Sequence, residues 1–210
     1  MATDRPPVDP TRLVALSDGV FAIAITVLVL NVDLPSEPAR TAVTETVVIG
    51  EWRDVFSYVL SFLVIGNFWV DHRHVFDHVT VHTQRVTWLN MVFLMSVAFL
   101  PFPTALLGDD GGVVSVVFYA VSMTVTGALL YVLWWYVSRH DGHLVSGISP
   151  DRARLYGLQY LLTPLAFGLS IPAALFVDPA LAFVCWGLLF VSLVALKVSL
   201  EGSRYGRTDD

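Results

Sequence analysis

Two groups of side chains in this 210-residue sequence could do chemistry, and both lie in or beside apolar runs. Ser17 and Asp18 sit in residues 12–34, RLVALSDGVFAIAITVLVLNVDL, a run long enough to cross a bilayer that also holds Arg12 and Thr26. A carboxylate inside such a run is costly and rare, so it marks either a proton or cation relay or a polar network between segments. His74, His78 and His82 recur every fourth residue, which places them on one helical face. That spacing permits a zinc site, and imidazoles also sense pH. With no Cys beside them, the plainer expectation is a solvated extension of a helix. The lone Cys185 lies in an apolar stretch, where a small apolar filler is expected, and it cannot form an internal disulfide. Ser17 has no Gly-x-Ser-x-Gly context, and no paired acids or metal-ligand set point to an enzyme or a cofactor.

Helical geometry separates these groups from a different row. At about 100° per residue, Leu16, Gly19, Ile23, Thr26, Val27 and Leu30 fall within roughly 60° of one line, with Asp18 roughly 140° and Ser17 roughly 120° away. Either face could line a path while the other packs on neighbouring helices. Alone, the apolar row would read as ordinary helix packing or lipid contact. Thr26 would read as a helix Thr bonded to its own backbone carbonyl four residues earlier.

The elements that must hold these residues are membrane helices. Hydrophobic residues make up 55% of the chain, charged residues 14%, and the mean hydropathy is +0.67, outside the range of ordinary soluble domains. Most of the length goes into spans, and a net charge of −6 gives no reason to propose nucleic-acid binding. Six apolar segments are expected at about 12–34, 54–76, 86–107, 112–138, 151–176 and 179–200. Residues 1–11, MATDRPPVDPT, read as a polar cytoplasmic tail rather than a signal peptide, 12–200 as a six-helix transmembrane domain, and 201–210 as a cytoplasmic tail. Pro35 closes the first segment, Pro101 and Pro103 bend the third, and Pro164 and Pro172 bend the fifth. Residues 35–52 read as an extracellular linker.

Charge orients the segments. Arg5, Arg12, Arg73, Arg85, Arg139, Arg152, Arg154, Lys197, Arg204 and Arg207 fall on one side, against Arg40 and Arg53 on the other, which places both termini in the cytoplasm. The far side collects Asp33, Glu37, Glu45, Glu51, Asp54, Asp109, Asp110 and Asp178, an acidic surface that would concentrate cations and repel anions. Trp134, Trp135 and Tyr136 with Arg139, and Tyr156 and Tyr160 with Arg152 and Arg154, read as an interfacial aromatic belt with basic anchors.

Arg12 followed by Leu16-Ser-Asp-Gly-Val-Phe-Ala-Ile-Ala-Ile-Thr26 closely resembles the signature opening the first helix of the transmembrane protein 175 family of potassium channels. Leu16 stands where that family usually has Phe. Trp69-Val-Asp-His72 fits the family's Trp-x-x-His in the second helix, and Asn90 followed by Leu100-Pro-Phe-Pro-Thr104 fits its third-helix pattern. With six spans, the resemblance covers nearly the whole chain.

The resemblance implies an all-α integral membrane protein of six transmembrane helices per subunit, assembled as a homotetramer with the first helices lining a central pore. It implies a constriction at Ile23, a Thr26 that favours potassium over sodium, and a row continued by Val27 and Leu30, with Leu16 and Gly19 lining the path. Potassium is the implied permeant ion, held transiently near Ile23 and Thr26, with other monovalent cations as minor passengers. A ring of isoleucines can block ions by dewetting, and a small dilation then restores conduction. The chain contains no TVGYG run, so the expected selectivity is modest. The matching positions Arg12, Ser17, Asp18, Trp69, His72 and Asn90 are implied to form a structural network joining the first three helices. No Arg recurs at every third residue of a span, so no voltage sensor is expected. The alternative is a proton-coupled secondary transporter using Asp18 and His72, and a third reading is a non-conducting scaffold. The single-repeat form suggests a prokaryotic plasma membrane.

Overall fold

Apolar runs bounded by Pro, Gly and capping residues form helices along the chain, and a computed structural model describes residues 10–32, 52–80, 83–109, 111–139 and 148–188. Helix α1 (Thr11–Val27) follows Pro10 and tightens into a 3-10 turn, Leu28–Asn31. It buries Leu13, Ser17, Phe21, Ala24 and Leu28, spaced three or four apart, so one stripe packs inward. Helix α2 (Trp52–His78) follows, then α3 (Gln84–Phe99), whose N-cap Thr83 accepts from Val86 N.

The third span is broken by its prolines. Pro101 has no N–H to give to Val97, the Leu100 N–H takes that carbonyl instead, and α4 (Pro101–Asp109) restarts beyond the turn. Gly111, at φ 58°, then turns the chain into α5 (Val113–Arg139), a left-handed conformation that suits glycine. Helix α6 (Pro150–Phe176) starts on Ser149, which accepts from Arg152 N, with Pro150 where a missing N–H costs nothing. Pro164 and Pro172 lie inside α6 without ending it. Asp178 accepts from Ala180 N at the head of the last described helix, α7 (Pro179–Leu188).

Among the described residues, five helical stretches are long and apolar enough to cross a membrane: Thr11–Asn31, Arg53–His78, Gln84–Asp109, Val113–Arg139 and Pro150–Phe176. Pro179–Leu188 is a shorter apolar helix, and residues 189–200 of the expected sixth span lie outside the described residues, as do the 201–210 tail and most of the 35–52 linker. The chain is thus an all-α, multi-pass membrane protein. Helix α1 packs on α2 and α3, α2 on α4, and α5 on both α3 and α6. Trp186 of α7 is buried against Tyr119 and Phe167 and donates to Ser170 Oγ at 2.9 Å.

Several expectations of side-chain placement are corrected. Trp134 is not an interfacial residue: it is 1% exposed, packs over Gly157 and donates to the Ala153 carbonyl at 3.0 Å. Tyr160 is also buried, because α5 and α6 press their aromatic faces together. Trp135 does stand exposed, with the Arg139 guanidinium 5.2 Å from its ring centre. His74 and His78 are half-buried against Tyr156 and Trp134 rather than solvated, while His82 lies outside the described residues. Cys185 lies exposed on α7. Asp54 is buried against Gly108, so its carboxylate is withdrawn from the acidic surface.

Candidate functional site

The outward row of α1 is open. Ile23 is 66% and Leu30 77% exposed; Leu16, Gly19, Thr26 and Val27 are exposed with them, and the space where a Gly19 side chain would stand is empty. The Thr26 hydroxyl donates to the Ala22 carbonyl at 2.8 Å, with the Ile23 carbonyl at 3.1 Å. Spending its single hydrogen on backbone leaves the oxygen's lone pairs for another donor or a cation. Beside this row, a groove of about 380 Å³ runs between α1 and the α3–α4 break, lined by Ile23, Val27, Phe99 and Phe102 among others.

The opposite side of α1 holds the polar anchors, and they form two groups rather than one. Ser17 Oγ donates to the Leu13 carbonyl at 2.9 Å and accepts from Asn90 Nδ2 at 3.1 Å. The Asn90 Oδ1 pairs with His72 Nε2 at 2.8 Å. All three residues are at most 1% exposed, and the His72 ring stacks on Phe93 at 5.4 Å and meets Phe76 and Phe21. Separately, Trp69 Nε1 donates to Asp18 Oδ1 at 2.8 Å near the surface, and the Arg73 guanidinium lies 5.9 Å from the Trp69 ring centre. Ser17 and Asp18 therefore do not share a face: a step of about 100° puts one at the centre of the buried stripe and the other at its edge. Arg12 is exposed, and among the described residues no hydrogen bond or ion pair joins it to either group.

Sequence reasoning passed over other polar contacts. Asn31 Nδ2 donates to the Pro101 carbonyl at 2.9 Å, tying the end of the α1 3-10 turn to the proline break. Thr104 Oγ1 lies 2.9 Å from Ser61 Oγ, which lies 3.0 Å from the Tyr119 hydroxyl, a buried triad joining α2, α4 and α5. Asp71, 6% exposed, accepts from Asn67 Nδ2 at 2.9 Å. The available signal was a polar residue inside each apolar run, without any indication of its partner. Among the described residues, no group of three His, Cys, Asp or Glu could hold a metal ion.

Comparison with known proteins places this arrangement. Residues 12–101 match the family model described as endosomal/lysosomal potassium channel TMEM175, a range that holds the α1 row, Trp69, His72 and Asn90. A potassium channel of Streptomyces collinus is 35% identical over 184 residues, covering 85% of this chain and 88% of that one. A potassium channel of Chamaesiphon minutus is 38% identical over 99 residues, 47% of this chain and 49% of that one. The crystal structure of a lysosomal potassium-selective channel TMEM175 homolog from Chamaesiphon minutus superposes with a TM-score of 0.75 at 26% identity, over 88% of this chain and 96% of that one. These relatives are named as ion channels, not enzymes. With the first-helix signature, Trp69, His72 and Asn90 inside the matched range and a relative aligned along most of its length, the chain belongs to the TMEM175 family.

Proposed function

We propose that this chain is the subunit of a potassium channel in the plasma membrane, with both termini cytoplasmic and four copies arranged so that their α1 helices surround the pore. The observation that carries the reading is the contrast between two outward rows. Helix α6 presents Leu155, Leu158, Leu162, Leu165 and Leu169, all exposed and all suited to lipid. Helix α1 presents Gly19 and the Thr26 hydroxyl among Leu16, Ile23, Val27 and Leu30. A hydroxyl and a glycine in one outward row fit an ion path better than a lipid contact, and the potassium-channel names of the relatives support the same permeant ion.

In this reading Ile23 forms a hydrophobic constriction that dewets when narrow, with Val27 and Leu30 continuing it. Thr26 offers hydroxyl oxygens to a partly dehydrated ion, and Leu16 and Gly19 line the remaining path. Without a carbonyl filter the preference for potassium over sodium is modest. The buried Ser17–Asn90–His72 trio and the Trp69–Asp18 bond fix the angle of α1 against α2 and α3, so they set which side chains face the axis.

Potassium flux into liposomes tests the proposal. Rapid flux that persists with a proton uncoupler is expected. Saturable, uncoupler-sensitive flux would indicate instead the proton-coupled carrier that Asp18 and His72 could serve, and absence of flux a scaffold. Placing His72 in an aromatic cage with an amide partner favours anchoring over a relay. Cross-linking in the membrane should trap species up to four copies.

A further inference from the structure

Helix α1 and its 3-10 turn are held to the bundle at two levels. Asn90 and Trp69 grip Ser17 and Asp18 towards the start of the helix, and at the far end Asn31 Nδ2 donates to the Pro101 carbonyl at 2.9 Å. Between those holds the side chains that this segment buries are apolar: Phe21, Ala24 and Leu28. The 3-10 turn is what aims Asn31 inward, because residues three apart eclipse in that geometry and the fully buried Leu28 sets the inward direction. Val29 and Leu30 are left exposed. The acceptor is braced from behind. Pro101 opens α4, and one turn on Thr104 Oγ1 reaches both the Leu100 carbonyl and Ser61 Oγ at 2.9 Å, while Ser61 bonds the buried Tyr119 hydroxyl at 3.0 Å. Pro101 also lines the groove beside Ile23 and Val27, so the Asn31 bond stands at one end of the row proposed to constrict.

We infer that Asn31 is a positioning residue of the pore: its bond to Pro101 holds the end of the first span back against α4, and its loss lets the Leu30 side chains of the assembled copies close over the path. Exposed Val29 and Leu30 side chains gain by burying one another, and a ring of such side chains shuts a path once water leaves it. That gain pulls the 3-10 turn towards the axis, and the Asn31 amide pulls the other way. Leu28 packs inward as well, but an apolar contact slides where a hydrogen bond has a fixed length and direction. The brace matters because the Pro101 carbonyl stays with Ser61, Thr104 and Tyr119 and does not follow α1. The bond therefore carries the position of the bundle to the row that faces the path. Asparagine meets the requirement with a short side chain and two N–H donors, whereas leucine, of similar size, has none.

The inference rests on the channel reading above, and planar-bilayer recordings of the full chain in symmetrical potassium separate the two. Asn31→Leu is expected to lower open probability about threefold or more, within the range that one net hydrogen bond per subunit covers, while the openings that remain keep the wild-type unitary conductance. Asn31→Asp, equal in size but without the N–H donor, should lower open probability likewise, and Asn31→Gln, which keeps the donor, should stay within about twofold of wild type. In a Leu30→Ala background the effect of Asn31→Leu should shrink below about 1.5-fold, because the shortened side chains cannot close the path. A merely structural role for Asn31 would not be relieved in that way. Unchanged open probability in Asn31→Leu and Asn31→Asp overturns the positioning role, as does a loss that persists in full with Leu30→Ala. Failure of both donor-less variants to assemble assigns Asn31 to folding and overturns it too. Absence of potassium current from the wild type overturns the channel reading and this inference with it.

Discussion

Asn90 on α3 donates its amide N–H to Ser17 Oγ on α1 across 3.1 Å, the contact through which α1 is keyed to the rest of the bundle. The same amide reaches His72 on α2 at 2.8 Å, so one buried side chain fixes three helices. Asn90→Leu retains volume but removes both bonds, leaving the His72 imidazole without that partner among Phe21, Phe76 and Phe93. A buried polar group left unpaired costs about 1–3 kcal/mol, and interhelical bonds within membranes average nearer 0.6 kcal/mol. The expected outcome is lower yield and a lower melting temperature of the assembled protein in detergent, read by size exclusion after heating. Wild-type melting would remove Asn90 from this role.

Asp18 distinguishes the need for a charge from the need for a bond. Asp18→Asn keeps an oxygen able to accept from Trp69 Nε1, whereas Asp18→Ala keeps none. Asp18→Asn is expected to assemble and conduct, and Asp18→Ala to fail in assembly rather than conduct with altered selectivity. Equal failure of both would show that the carboxylate's charge is what counts.

How far these relationships could be read without coordinates depends on their range along the chain. The outward row of α1 was legible because a helix repeats every 3.6 residues, so spacing alone puts Ile23, Val27 and Leu30 together. Ser17 and Asp18 looked like a pair because they are adjacent, and only the packing of α2 and α3 shows that one is central and the other marginal. Trp134 and Tyr160 carry the same local signature as belt residues. Their burial follows from α5 meeting α6, which composition does not encode. Asn31 and Pro101 are 70 positions apart, so the bond between them had no local cue.

Thr26 carries the selectivity proposal. Thr26→Val keeps the shape of the side chain but loses the hydroxyl, and with it the oxygen left open by the bond to Ala22. The potassium-to-sodium permeability ratio should fall by a factor of about two to five, corresponding to less than about 1 kcal/mol, with conduction retained. Reversal potentials under bi-ionic conditions measure it, and an unchanged potential would remove Thr26 from the mechanism.

Ile23 tests the proposed constriction. Ile23→Ser shortens the side chain and adds a polar group, which lowers the barrier to wetting, so resting potassium flux should rise on the order of tenfold, equivalent to about 1.4 kcal/mol. Ile23→Phe should reduce it. Because Ile23 is 66% exposed within one subunit, neither change disturbs the subunit's own packing, and equal yields are expected. Flux that is insensitive to both substitutions would place the constriction elsewhere.

Gly127 provides a check on the bundle that is independent of the pore. A Cβ there would stand 2.8 Å from Pro164 Cδ, with the ring's Cβ and Cγ at 3.1 and 3.2 Å. The proline ring is rigid and sits inside α6, so it cannot swing aside as a flexible side chain would. Small residues at such crossings are what let membrane helices approach closely. Gly127→Ala must therefore push α5 and α6 apart, at an overpacking cost of about 1–3 kcal/mol. Because Trp134 and Tyr160 are clamped by the same pair of helices, the strain should reach their contact too. The expected result is a lower melting temperature with a blue- or red-shifted tryptophan emission, and wild-type values of both would show that the α5–α6 contact is looser than the structure indicates.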